Sequence, residues 1–210
     1  IEVAPGRHHA VPPFDLDAFQ IEASLLLDWY VPRMADRKPD EPSRKHYREI
    51  IARLHAALDH QNPTLIMRDF HSPNIMWCEG KTAVAQTGLI DFQDALLGPA
   101  AYDVISLADD ARVDIEPSLR AQIIAAYCDE RAGLDAAFDR EIFARDAAIL
   151  SAQRAAKILG IFVRLDERDG KPAYLAHLPR VQKTLQNALT HHALTEFAQW
   201  LDDQGVFVHG

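Results

Sequence analysis

The sequence is short of cysteine, of closely spaced glycine, of long apolar runs and of positive charge. Each shortage removes a class of protein. Cys78 and Cys128 are its only two cysteines. That excludes a disulfide scaffold or a Cys-rich zinc module, and a reducing, cytoplasmic setting is expected. Nine glycines are present, but none are placed as G-x-G-x-x-G or G-x-x-x-x-G-K-[ST]. A dinucleotide fingerprint and a P-loop are therefore absent, as is the G-x-S-x-G elbow of serine hydrolases. No stretch reaches 18 apolar residues, so no membrane-spanning helix is expected. The most apolar long segment, residues 147–163, is broken by Gln153, Arg154 and Lys157. Lys and Arg total 22 against 31 Asp and Glu, a net charge of −9. A nucleic-acid binder needs a basic footprint, which this chain lacks.

What is present suits one or two globular domains with a sizeable core: 210 residues, 48% of them hydrophobic. The chain opens Ile1-Glu2-Val3-Ala4-Pro5-Gly6, without Met and without a signal-peptide pattern, and reads as a cut, processed or trimmed start. Residues 1–13 read as an irregular lead-in. From Phe14 a helical period sets in, with Leu16, Phe19, Ala23, Leu26, Leu27, Tyr30 and Met34 on one face. A second helix is expected from an N-cap at Ser43, burying Tyr47, Ile50, Ile51, Leu54 and Leu58. Between about Thr64 and Gly98 the character changes. Thr64–Met67, Ile75–Trp77 and Gly88–Ile90 are short apolar runs of strand type, separated by polar loops and turns. Helical periodicity returns at Tyr102. A helix opens at Pro117 and stops near Gly133, a long one spans about Asp139 to Leu165, and others cover about Tyr174–Leu189 and Ala193–Asp202. The expected fold class is mainly α with a small β insert, and the insert carries the densest polar chemistry.

That insert reads Met67-Arg68-Asp69-Phe70-His71-Ser72-Pro73-Asn74, between two apolar runs. Asp69 and Asn74 stand five apart on one loop. Downstream, Leu89-Ile90 delivers Asp91, followed by Phe92-Gln93-Asp94-Ala95. Two carboxylates and an amide on neighbouring strand ends can converge on one point, and hard oxygen ligands of this kind suit Mg²⁺.

The order and spacing resemble the catalytic half of protein-kinase-like phosphotransferases, in which a loop Asp is followed five residues later by an Asn and then by an Asp-Phe-Gly-type strand end. The match is closer to the aminoglycoside phosphotransferase-like branch, with His71 two residues after Asp69, then Ile90-Asp91-Phe92-Gln93-Asp94-Ala95, Gly98-Pro99 and Tyr102-Asp103. Within it, Gln153-Arg154, Leu159–Arg164 and Arg168-Asp169-Gly170-Lys171-Pro172 resemble the bacterial N-acetylmuramate/N-acetylglucosamine anomeric kinases of cell-wall recycling. The resemblance runs from about Phe14 to about Asp203.

It implies the C-terminal, helical lobe of a protein-kinase-like fold over residues 14–210, with a catalytic loop at 67–77, a metal-binding element at 88–95 and a helical substrate region at 102–203. It implies ATP and Mg²⁺ as cofactors and a small-molecule substrate, an amino sugar or else an aminoglycoside. Asp69 would take the proton of the attacking hydroxyl, and Asn74 and Asp91 would hold Mg²⁺ against the nucleotide phosphates. His71 would contact the transferring group or else bond the backbone. Asp103 would brace the loop from below, and Asp94 would brace it or touch substrate. Met67 departs from the family's usual structural His. No Gly-rich loop and no strand Lys paired with a helical Glu are found, and in this family those come from an N-terminal lobe, which is expected and not contained here. A regulatory pseudokinase lobe is the remaining alternative, although Asp69, Asn74 and Asp91 are all present.

Blander readings apply elsewhere. Asp109, Asp110 and Arg112 read as a solvated helix end. Trp29, Trp77 and Trp200 read as core or half-buried packing. His8-His9 and His191-His192 lack metal-helix spacing and read as surface histidines.

Overall fold

The computed structural model of the chain describes residues 2–4, 6–8 and 10–206. The lead-in is more regular than its sequence suggested. Strands β1 (Glu2–Ala4) and β2 (Arg7–His8) pair antiparallel about Gly6, whose φ of +72° suits a residue without a Cβ. His9 and the side chain of His8 lie outside the described residues.

Helix α1 (Leu16–Leu25) starts where the Asp15 carboxylate accepts the Ala18 N–H at 2.9 Å. It runs into a π-helical turn, Leu26–Tyr30, and then α2 (Val31–Ala35). The wide turn falls just before Pro32, which has no N–H to donate and whose ring crowds the carbonyl four residues back. Helix α3 (Glu41–Ala56) is capped by Asp40, which accepts the Ser43 N–H at 2.9 Å. The cap thus precedes the expected Ser43 by three residues, because Pro42 fits the first helical turn.

The β insert is two separate antiparallel ladders. Strand β3 (Thr64–Ile66) pairs with β6 (Leu96–Gly98), with Ile66 opposite Leu96. Strand β4 (Ile75–Trp77) pairs with β5 (Thr87–Leu89), with Ile75 opposite Leu89. The segment between β3 and β4 therefore crosses from one ladder to the other, and so does the segment between β5 and β6. These two crossings are the loops that carry Asp69 and Asp91. The β6 run was not singled out in the sequence. Trp77 is a correction: it is 69% exposed, on the solvent side of a two-stranded ladder.

The remaining chain is helical: α4 (Ala101–Ala108), α5 (Pro117–Leu134), α6 (Arg140–Glu167), α7 (Leu178–Ala188) and α8 (Thr195–Asp203). Helix α5 opens at Pro117 as expected and ends at Leu134, one residue past Gly133. Trp200 is buried and Trp29 packs against the core.

Helix α6 is the axis of the core, packed by α1, α4 and α7. Its middle is buried on all sides, and small residues (Ala152, Ala155, Ala156, Gly160) let neighbouring backbones come close. A Cβ at Gly160 would lie 2.2 Å from the Leu25 carbonyl carbon and oxygen, which is backbone and cannot swing aside. Gly160→Ala is therefore expected to destabilise the fold by about 3 kcal/mol, the upper part of the overpacking range. A urea melt read by circular dichroism checks it; unchanged stability would mean that α1 and α6 can separate without loss.

Candidate active site

The loop from Met67 to Asn74 leaves the β3–β6 ladder with Arg68 in a left-handed conformation, φ +66°. Asp91, leaving the β4–β5 ladder, has φ +61°. For residues with a Cβ such conformations cost about 1–3 kcal/mol each and persist only where surroundings hold them.

At Arg68 three groups do so. The Asp103 carboxylate, from the first turn of α4, accepts the Met67 N–H at 2.7 Å and the Arg68 N–H at 3.1 Å. Burial pushes the Asp103 carboxyl above its ordinary value, against those two amides and the nearby Arg154 guanidinium. Arg154, from α6, donates to the Arg68 carbonyl at 3.0 Å and lies 4.7 Å over the Tyr102 ring. The Arg68 side chain turns inward to Glu22 of α1.

Beyond Arg68 the loop folds on itself. The Asp69 carbonyl accepts from the His71 N–H (3.1 Å), from the His71 ring Nδ1 (2.9 Å) and from Asn74 Nδ2 (2.9 Å). The Asp69 carboxylate stays exposed and makes no hydrogen bond among the described residues. The peptide of Asp69 is fixed while its acid is left for a ligand. His71 has Nδ1 committed to the backbone, so Nε2 is its atom available to a substrate.

The ladder crossing brings the second element in. Ile90 N–H donates to the Asn74 carbonyl at 3.2 Å, and Asn74 Nδ2 lies 3.5 Å from Asp91 Oδ2. The other Asp91 oxygen accepts from Gln93 Nε2. With its Nδ2 bound to the loop, Asn74 keeps Oδ1 for a cation. Among the described residues no three or more His, Cys, Asp and Glu side chains converge as a closed cage. A half-buried Asn74 beside an exposed Asp91 offers a pair of hard oxygens that fits Mg²⁺, which keeps waters and substrate phosphates in its other positions.

Asp69, His71, Asn74 and Asp91 are thus brought together, with Asp103 beneath them. Asp94 is not: it sits exposed in the turn before β6, with no hydrogen bond or ion pair among the described residues.

Two acids after α4 overturn the expected solvated helix end. Asp110 is only 2% exposed and accepts the N–H of Ser72 at 3.0 Å and of Arg112 at 2.8 Å. Burial alone would raise its carboxyl, but those amides, the Ser72 hydroxyl and the nearby His71 outweigh it and hold it below the ordinary value. Asp109 takes Arg120 Nε at 2.6 Å and the Ser151 hydroxyl at 2.7 Å. Both acids are spent inside the fold.

Glu22 was missed as well. It is 3% exposed and receives Arg68, Lys157 (2.7 Å), Gln153 (3.0 Å) and Tyr102 (3.1 Å). Burial opposes its charge, yet Lys157, Gln153 and Arg68 together bring its pKa down to about 2. The signal was available: Glu22 lies three residues after Phe19 and four before Leu26, on the apolar stripe of α1.

Beside the loops, Met76, Trp77, Leu89, Ile90 and Phe92 are each exposed. Among the described residues no helix is long and apolar enough to cross a membrane.

The phosphotransferase enzyme family (APH) model matches residues 6–137, which include both loops and the helices on either side. N-acetylmuramate/N-acetylglucosamine kinase of Caulobacter vibrioides is 32% identical over 189 residues, covering 90% of this chain and 51% of that protein. The protein of the same name from Neisseria meningitidis is 31% identical, covering 90% and 55%, and that from Pseudomonas aeruginosa is 32% identical, covering 85% and 52%. The chain spans about half the length of these curated relatives. By that match across both loops, the chain belongs to the phosphotransferase enzyme family.

Proposed function

We propose that this chain is the helical lobe of a cytoplasmic kinase that transfers the γ-phosphoryl group of ATP to a hydroxyl of an amino sugar of the N-acetylmuramate/N-acetylglucosamine type, a reaction of cell-wall recycling. The observation that carries the reading is the exposed, unbonded Asp69 carboxylate on a backbone fixed by Asp103 and Arg154, with Asn74 and Asp91 side by side at the next ladder end.

Phosphoryl transfer asks for positioning and charge neutralisation more than covalent help. Asp69 accepts a hydrogen bond from the sugar hydroxyl, aims its oxygen, and takes the proton as the new phosphorus–oxygen bond forms and the bond from the γ-phosphorus to the departing ADP breaks. Asn74 Oδ1 and the Asp91 carboxylate would hold Mg²⁺, whose charge would offset that of the phosphates. His71 Nε2 is placed to donate towards the transferring group. Asp103 keeps the loop in register. The exposed apolar side chains of Trp77 and Met76, on opposite faces of the β4–β5 ladder, and of Leu89, Ile90 and Phe92 are available to a second lobe that closes over the nucleotide.

A non-cationic sugar is favoured over a polycationic aminoglycoside. Of the acids next to the loops, Asp109 and Asp110 are already paired within the fold and closed to an ammonium group, which leaves Asp94 as a single exposed acid outside the reacting groups. The test is a panel assay on the protein expressed from its complete reading frame, with N-acetylmuramate, N-acetylglucosamine and kanamycin as acceptors. Transfer to the acetylated sugars and none to kanamycin is expected. Transfer to kanamycin alone would replace this reading with the aminoglycoside one.

A further inference from the structure

We infer that Glu22 is a positioning residue for the reaction, acting through Arg68 on the neighbouring Asp69; the inference rests on the function proposed above. Glu22 belongs to α1, remote in sequence from both loops, yet its carboxylate joins four parts of the molecule. One oxygen takes Arg68 Nε at 3.2 Å, Arg68 Nη2, and Lys157 Nζ at 2.7 Å. The other takes Tyr102 Oη at 3.1 Å and Gln153 Nε2 at 3.0 Å. The catalytic loop, α4 and α6 thus meet at one buried acid.

A charged hub is a poor choice for stability alone, since well-packed apolar residues of similar volume generally do as well. It is a good choice for geometry. Two nitrogens of the planar Arg68 guanidinium converge on the same Glu22 oxygen, which fixes the plane of the group as well as its distance. Arg68 is also the residue whose left-handed backbone decides where Asp69 points. Asp103 holds its N–H and Arg154 its carbonyl, but neither fixes its side chain. Glu22 supplies that third anchor. No hydrogen bond links Glu22 to Asp69, Asn74 or Asp91, so its effect passes through Arg68.

The test uses the protein from its complete reading frame, with kcat, both KM values and Tm measured for three variants. Glu22→Gln keeps the shape and removes the charge. Glu22→Gln/Lys157→Met removes one charge of each sign, so that Lys157 is not left buried and unpaired. Arg68→Lys keeps the positive charge and removes the second N–H contact, at a half-buried site, with Tm reporting whether the fold is kept. In all three, kcat is expected to fall about tenfold, where a full 1 Å misplacement costs about 100-fold, while the KM values for sugar and Mg·ATP hold. The double variant is expected to recover Tm over Glu22→Gln without recovering kcat. If kcat returns together with Tm, or Arg68→Lys turns over at the wild-type rate, Glu22 is structural glue and the inference is overturned. A wild-type protein that transfers no phosphoryl group sinks the proposed function instead, so the two failures are distinguishable.

Discussion

Asp69→Asn is expected to lower kcat for phosphoryl transfer by about 10²–10⁴-fold, the contribution of a positioned general base. The amide keeps the shape and one hydrogen-bond acceptor but cannot take the hydroxyl proton. Folding should not notice. The carboxylate is exposed and has no partner among the described residues, so the change in unfolding free energy should stay within about 0.5 kcal/mol. The loop keeps its form because what holds it is the Asp69 carbonyl, bonded by His71 and Asn74, and the anchors at Arg68. Steady-state kinetics beside a thermal melt check both halves. Turnover at the wild-type rate would remove Asp69 from its role.

Asp91→Asn is expected to weaken the hold on Mg²⁺. Losing one charge-assisted contact worth about 2 kcal/mol raises the Mg²⁺ concentration at half-maximal rate by about 30-fold. Asn is the substitution to use because Asp91 has φ +61°, a left-handed conformation that Asn tolerates and Ala does not. The loss can be read without turnover: the rise in Tm on adding Mg·ATP, which follows occupancy of the folded state, should shrink in the variant. An undiminished shift together with an unchanged Mg²⁺ requirement would place the cation elsewhere.

The chemistry of the site was more legible in the sequence than its support. Asp69 and Asn74 alone read as a turn; they stand out with His71 because an Ile90-Asp91 strand end and Tyr102-Asp103 follow in the right order. Asp103 was reached only through resemblance, since nothing local says that a helix-start Asp bonds the amides of Met67 and Arg68, some 35 residues earlier. Glu22 was passed over, and Asp109 and Asp110 were read as solvated, because acids usually are and the partners that bury these stand elsewhere in the chain: Arg68 and Lys157, Arg120 and Ser151, Ser72. Most helices were legible from their 3.6-residue period. Strand β6 was not, as three residues pairing across a gap of some thirty leave no local period. Trp77 was misjudged because size argues for burial, whereas a two-stranded ladder has one face with nothing packed on it.

The most direct measurement is a ³¹P spectrum of N-acetylmuramate and Mg·ATP incubated with the protein from its complete reading frame, beside the Asp69→Asn variant. The account predicts a new sugar-phosphate resonance growing in step with ADP, and its loss in the variant. ADP without a sugar phosphate, or a sugar phosphate formed equally fast by the variant, would contradict it.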